Sequence, residues 1–431
     1  KYNSLGYEIP VNSEQAVTEW QEGIKTSVYT RKAQFHYGWD WAPRYVTSGI
    51  WRSVYLRAWN NARITDVFYQ LRELNEHAIY DVHLTIESLV KDEANINILV
   101  DGNEELDQTI QLEPGINEKT VTITMEEPTL WWPNGLGEPY LYEAEAVLEI
   151  DGVNTSEHNE KIGVRTVELI QENDSVGTSF HFEVNGVPVF MKGANYVPLD
   201  VFFPRVTNEK YQYFIESAKK ANMNMLRIWG GGIYENEIFY DLCDEHGIMI
   251  WQDFMFSNSM VPGDEAFLKN VEKEANTIVR QLRNHPCMAS YCGNNEVLMF
   301  WNNRWKHIQD EPRGKPLWKA YQNIFYNILP DAVEKNDPGK FYWPSSPSTT
   351  YYTYDADSTW KKGNQHLWKV YFGREPIETY TYRKNLGRFN TEFGLQSYPY
   401  LKTVNTFATP DDYDVYSPVM LQHHKLRLRN G

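Results

Sequence analysis

A chain of 431 residues that is 42% apolar and 23% charged carries material for about two or three cored domains. A formal net charge of −17 argues against a nucleic-acid partner, which calls for basic stripes, and no run of about 18 apolar residues offers a membrane span. Cys243, Cys287 and Cys292 form neither a disulfide framework nor a metal-ligand spacing, so no metal or other cofactor is expected. The 15 Trp, 29 Tyr and 19 Phe suit either β-rich cores or surfaces on which sugar rings stack, and composition alone does not separate the two.

Residues 1–60 read as β structure, with Ile50–Trp59 as a strand and Tyr37-Gly38-Trp39-Asp40-Trp41-Ala42-Pro43 as a loop. This segment is too short to fold alone and resembles the closing part of a β-sandwich. Asp40 would by itself be an ordinary turn residue capping local backbone. Residues 61–168 alternate apolar and polar positions. Asp66–Leu71, Ile79–Leu89, Asn95–Val100, Thr120–Met125 and Leu141–Ile150 are predicted strands, with turns at Asp101-Gly102 and Asp151-Gly152. That rhythm predicts an immunoglobulin-like sandwich. Trp131-Trp132-Pro133-Asn134-Gly135 reads as a loop that braces neighbouring domains.

From about residue 169 short apolar runs alternate with helical stretches. The predicted strands are Pro188–Ala194, Asn224–Trp229, Ile248–Phe254, Met288–Gly293, Lys340–Ser345, Leu367–Phe372 and Arg388–Phe393. Helices are predicted from Thr207 to about Ala221 and over Glu237–His246, Asp264–Arg283 and Lys319–Lys335, with another starting near Ser417. Such a succession over residues 169–431 predicts a (β/α)8 TIM barrel, whose usual length is about 250 residues, lacking its last strand. Since the chain opens on Lys1, a start further upstream is also expected.

In such barrels the chemistry sits at the C-terminal strand ends. There the sequence places Asn195, Arg227 and Trp229, Trp251 and Asp253, Asn295 and Glu296, Trp343 with Ser345 and Ser346, His366 and Trp368, and Glu392. A charge at the end of a buried strand is costly unless it is paired, exposed or functional. Glu296 and Glu392, ending the fourth and seventh strands, would face each other across the mouth. Two such carboxylates are what glycoside hydrolysis uses, one as proton donor and one as nucleophile or base. Nearby Trp301 and Trp305 could supply apolar walls that keep Glu296 protonated, and Arg227 could keep Glu392 ionised. The structural alternative is two unrelated glutamates satisfied by barrel cations.

Several motifs in a shared order resemble glycoside hydrolase family 2, and within it the β-mannosidases. They are Trp131-Trp132-Pro133-Asn134-Gly135-Leu136-Gly137, Gly163-Val164-Arg165-Thr166, Arg227-Ile228-Trp229-Gly230-Gly231-Gly232, Asn284-His285-Pro286, Gly293-Asn294-Asn295-Glu296 and Thr391-Glu392-Phe393-Gly394. The resemblance implies a jelly-roll-like sugar-binding sandwich, then an immunoglobulin-like domain, then a catalytic barrel. It implies Glu296 as acid/base, Glu392 as nucleophile and Asn295 as a partner of the sugar 2-hydroxyl. It further implies that Asp40, in its Trp-Asp-Trp loop with Trp41, binds terminal mannose hydroxyls. Trp229 would stack near that sugar, and His366 and Trp368 would line the same pocket, where the family often carries Asp at the position of Asn364. The implied activity is retaining exo-hydrolysis of terminal β-mannose from a small or oligosaccharide β-mannoside. A β-galactosidase, β-glucuronidase or exo-β-glucosaminidase, or a non-catalytic carbohydrate-binding protein, is the alternative. The resemblance implies no membrane or nucleic-acid partner. The oligomeric state stays open, and a periplasmic, secreted or lysosomal-type setting is preferred to the cytoplasm.

Overall fold

The computed structural model describes residues 8–11, 26–39, 41–372, 374–378, 386–395 and 398–423. Its first regular layer is an antiparallel sandwich. The strands are β1 (Ala62–Leu74), β2 (His77–Ser88), β3 (Asp92–Val100), β4 (Asn103–Leu112), β5 (Gly115–Glu126), β6 (Tyr142–Ile150) and β7 (Val153–Ile162). One sheet runs β1-β2-β5 and the other β4-β3-β6-β7. Alternation drives the packing: Ala78, Tyr80, Val82, Leu84 and Ile86 of β2 all point into the core, with the half-buried Ile79, Asp81, His83 and Thr85 between them. The turns Asp101-Gly102 and Asp151-Gly152 have positive φ at both residues, the geometry that matches the twist of a tight hairpin. β4 and β7 were not anticipated. Their polar, largely exposed runs carry little periodic signal, and pairing to β3 and β6 supplies their order.

A small antiparallel sheet follows, β8 (Val167–Ile170), β9 (His181–Val184) and β10 (Val187–Val189). Pro188–Ala194, expected to be the first parallel strand, in fact spans β10 and the start of β11 (Gly193–Tyr196). The short apolar run has no period that separates a hairpin strand from a parallel one. Phe180 and Phe182, beside and on β9, pack against Trp251, Trp343 and Phe389 and seal this end of the parallel core.

The parallel sheet has sequential order β11, β12 (Met225–Ile228), β13 (Met249–Asp253), β14 (Met288–Cys292) and β15 (Tyr342–Trp343). Helices α1 (Asn208–Lys220), α2 (Glu237–His246), α3 (Glu265–Leu282), α4 (Val297–Asn302), α5 (Gly314–Gln322) and α6 (Leu329–Asn336) fall between and after these strands. Thr207 and Asp264 cap α1 and α3 through their side chains, and Gly247 closes α2 in the left-handed conformation. β12, β13 and β14 are buried at every residue, which explains their continuous apolar runs. β16 (Gln365–Leu367) and β17 (Asn390–Phe393) form a second parallel pair; β16 lies before the predicted Leu367–Phe372 and shares only Leu367 with it, since 369–372 form a turn, and β17 is shorter than the predicted Arg388–Phe393. α7 (Leu401–Val404) and α8 (Pro418–His423) follow. Among the described residues no helix is long and apolar enough to cross a membrane.

The Trp131–Asn134 loop does brace the layers. Trp131 Nε1 donates to Asp244 O at 2.9 Å, and Asn134 N donates to Gly247 O at 2.8 Å. Asn284 extends the contact by accepting from Tyr69 N and donating to Val67 O along β1. Residues 26–60 differ from expectation. They hold two 3-10 turns, Ser27–Tyr29 and Gln34–Tyr37, and Ile50–Trp59 is extended without a ladder. Ile50 is 87% and Leu56 101% exposed. Extended backbone becomes a strand only when a neighbour takes its N–H and C=O groups, and no described residue does so.

Candidate active site

The ends of β11 to β14 and of β17 bring their polar side chains into one buried network around Arg227. Its guanidinium donates to Asp253 Oδ2 at 2.7 Å, Glu392 Oε1 at 2.6 Å, Asn195 Oδ1 at 2.9 Å and Asn295 Oδ1 at 2.8 Å. Burial opposes the charge on Arg227, but Asp253 and then Glu392 outweigh it and hold the pKa above the ordinary arginine value. Asn195 also donates through Nδ2 to Thr391 O at 2.9 Å, which sets β17 beside β11.

Glu392 receives a second donor, Trp368 Nε1, at 2.9 Å. Glu296 accepts from Asn258 Nδ2 at 2.7 Å. His366 lies between the two carboxylates, with Nδ1 3.0 Å from Glu296 Oε1 and 3.2 Å from Glu392 Oε2. Its side chain is 1% exposed, and burial above all drives its pKa down to about 3, with Glu392 opposing. The imidazole is therefore neutral at physiological pH. The nearest oxygens of the two glutamates and the histidine nitrogen all lie within 4.8 Å of one another.

Glu296 stands at φ +62°, ψ 1°, a left-handed conformation that is costly for a residue with a Cβ. It is held there as the N-cap of α4, by Glu296 N donating to Ser346 O at 2.7 Å and by Phe300 N donating to Glu296 O at 2.9 Å. Backbone strain of this kind, about 1–3 kcal/mol, persists where surrounding structure over-determines it and clusters at functional sites. Asn258, also left-handed at φ +50°, ties Glu296 to its neighbour: its Oδ1 accepts from Asn295 Nδ2 at 2.7 Å. Asn258 went unnoticed in the sequence, because it lies in an irregular loop after β13 with no spacing signal.

Trp229 shapes the mouth from β12. Trp39 and Trp41 meet its indole edge to face, at 4.8 and 5.8 Å between centroids. Asp40 lies outside the described residues. A Cβ on Gly231 would fall 1.9 Å from Trp229 Cη2, and one on Gly230 2.5 Å from Phe256 O, so the Gly230-Gly231-Gly232 turn needs its glycines for close approach. Trp301 and Trp305 are placed differently from expectation. Both are buried on and just after α4, with Trp301 stacked on Trp318 and Trp305 edge-on to Phe300, as core.

Two groups among the described residues are spaced to share a cation, Glu296-His366-Glu392 and Asp241-Asp244-His285. The donor atoms of the first are engaged with one another, with Arg227, with Trp368 and with Asn258, an arrangement suited to holding protons. In the second, His285 Nδ1 sits 2.6 Å from Asp244 Oδ2, and Asp244 Oδ1 accepts from Cys287 N. Burial opposes the charge on His285, but Asp244 prevails and raises the pKa to about 9, so this is a buried ion pair.

The model for glycosyl hydrolases family 2 matches residues 62–165, and that for the glycosyl hydrolase 2 galactose-binding domain-like fold matches residues 3–52. The chain thus carries glycosyl hydrolase family 2 domains. Within the family it is similar to β-mannosidase B of Aspergillus terreus, 36% identical over 407 residues, which is 93% of this chain and 47% of the relative. β-Mannosidase B of Aspergillus oryzae is likewise 36% identical over 418 residues, covering 95% and 48%. The crystal structure of β-D-mannosidase from Dictyoglomus thermophilum matches with a TM-score of 0.88 at 37% identity, over 99% of this chain and 50% of that one. The exo-chitosanase of Amycolatopsis orientalis shares the fold at a TM-score of 0.62 and 19% identity, over 83% and 40% of the two chains. The chain spans about half the length of the curated relatives it matches.

Proposed function

We propose that this chain carries the catalytic centre of a retaining exo-β-mannosidase, which removes terminal non-reducing β-D-mannose from a β-mannoside. Residues 1–60 then belong to a sugar-binding sandwich, 61–168 form an immunoglobulin-like domain, and 169–431 form a (β/α)8 barrel to which β11–β17 contribute seven strands. The observation that carries the reading is the approach of Glu296 and Glu392 to within 4.8 Å, bridged by His366. Retaining glycosidases hold their carboxyl groups about 5–5.5 Å apart, whereas inverting enzymes need roughly 6.5–9.5 Å to admit water between them.

Glu392, oriented by Arg227 and Trp368, attacks the anomeric carbon as the glycosidic bond breaks. Glu296 gives its proton to the leaving oxygen. Water then enters, Glu296 takes a proton from it, and the resulting hydroxide displaces Glu392 from the sugar. Arg227 bonds Glu392 and not Glu296, and this asymmetry fits Glu392 for the nucleophile's part. Neutral His366 can hydrogen-bond either glutamate without adding a competing charge. Asn295, held by Arg227 and Asn258, would meet the 2-hydroxyl, a contact that strengthens as the oxocarbenium-like transition state forms. Trp229 and Trp41, with Asp40 on their loop, would enclose the terminal sugar, with Asn195, His366 and Trp368 completing the pocket. The similarity to three β-mannosidases supports mannose as that sugar.

The test is turnover of 4-nitrophenyl β-mannoside, β-galactoside and β-glucuronide by the full-length protein. The mannoside should give the highest kcat/KM. Faster turnover of a rival glycoside would assign another specificity within the family.

A further inference from the structure

We propose that Arg31, contributed by the N-terminal segment, is a positioning residue for Glu296 and acts through the loop that follows β13. This rests on the reading of Glu296 as the proton donor. The loop meets Glu296 and its neighbour over residues 255–258. Phe256 O accepts from Asn295 N at 2.9 Å, Asn258 N donates to Asn295 O at 2.9 Å, and Asn258 Nδ2 donates to Glu296 Oε2 at 2.7 Å. A displacement of these residues therefore moves Asn295 and the Glu296 carboxyl together.

The far side of the loop is held by the N-terminal segment. Ser259 bridges to Val11, Met260 N donates to Pro10 O at 3.1 Å, and Gln34 Nε2 donates to Ser259 Oγ at 2.7 Å. Arg31 supplies the fixed point. Its Nε and Nη2 donate to the two oxygens of Glu274 at 2.8 and 2.6 Å, and its Nη1 donates to Met255 O at 2.9 Å. The same guanidinium lies 3.8 Å from the centre of the Phe256 ring. Tyr234 closes the cluster, donating to Glu274 Oε1 at 2.8 Å and accepting from Met255 N at 3.2 Å. Both polar backbone groups of Met255 thus end on one ion pair, anchored by Glu274 in the 18-residue helix α3. Burial opposes both charges, yet each group keeps the other ionised, with Arg31 above the ordinary arginine value and Glu274 below the ordinary carboxylate value. Removing the guanidinium releases Met255 O and the Phe256 ring, three and two residues before Asn258.

The test compares kcat/KM of the full-length protein on two aryl β-mannosides. 2,4-Dinitrophenolate departs without a proton, whereas phenolate needs one, so the ratio of the two rates reads how well the acid is placed. Loss of folded protein lowers both rates equally and leaves that ratio unchanged. Glu296→Ala should slow phenyl β-mannoside about a hundredfold more than the dinitrophenyl substrate. Arg31→Gln should shift the ratio in the same direction by about tenfold, a part of that contribution, and Arg31→Lys by less. If Arg31→Gln yields no folded protein, Glu274→Gln, which loosens the same guanidinium, decides by the same ratio. A ratio unchanged from the parent, alongside the expected shift in Glu296→Ala, would overturn the proposal and keep Glu296 as the acid. An unchanged ratio in Glu296→Ala would refute the acid assignment and the role of Arg31 with it.

Discussion

Asn258 offers a sharp test of how the acid is held. Its Nδ2 donates to Glu296 Oε2 at 2.7 Å and its Oδ1 accepts from Asn295 Nδ2 at 2.7 Å, both inside the buried network. Replacement by Ala would confuse the result, because φ at this position is +50° and a Cβ is strained there. Asn258→Gly removes the side chain while leaving that backbone conformation accessible. As Glu296 gives up its proton, the Asn258 contact becomes a hydrogen bond to a developing charge, worth about 1.5–3 kcal/mol, which corresponds to a fall in kcat/KM of roughly 10- to 150-fold. Most of the loss should appear in kcat, since Glu296 acts on the leaving oxygen in the transition state. The assay is kcat and kcat/KM on 4-nitrophenyl β-mannoside across pH, with thermal unfolding as a control. A kcat/KM within twofold of the parent at unchanged melting temperature would refute the claim that Asn258 positions the acid.

Other consequences follow from the same contacts. Gly231→Ala would drive a Cβ into Trp229, so the indole must move, and KM for β-mannosides should rise at least fivefold, on the order of 1 kcal/mol, in steady-state kinetics. His285 is held at about 9, above its usual 6.5, chiefly through Asp244 once the opposing effect of burial is overcome. A raised pKa adds stability that is complete below about 6.5 and is lost as pH climbs through about 9. The melting temperature should therefore decline between those limits, and His285→Gln should flatten that part of the profile in thermal scans. An identical slope in the variant would remove His285 as its source.

The site was legible where chemistry coincided with strand ends. Glu392 follows Asn390-Thr391 and is marked by its motif with Phe393-Gly394, whereas Glu296 comes just after the short apolar run Met288–Cys292, and a charge closing a buried run stands out in any sequence. Arg227 was legible for the same reason. Asn258 was not, because loop residues lack periodicity and their partners are fixed only by tertiary contact. The fold divides in the same way. β2 and β6 declare themselves through alternation, while β4 and β7 are polar strands whose order comes from the neighbours they pair with. Pro188–Ala194 was taken as a single strand because a three-residue hairpin strand and the first parallel strand adjoin within one apolar run. Trp301 and Trp305 follow Glu296 closely in sequence, yet α4 turns their rings into the core.

The central claim is that Glu392 is the nucleophile of a retaining mannosidase. The most direct test is inactivation of the full-length protein with a 2-deoxy-2-fluoro-β-mannosyl fluoride, followed by peptide mass mapping. The account predicts a covalent 2-fluoromannosyl ester on the peptide containing Glu392. Label on Glu296, or hydrolysis with inversion and no trapped intermediate, would contradict it.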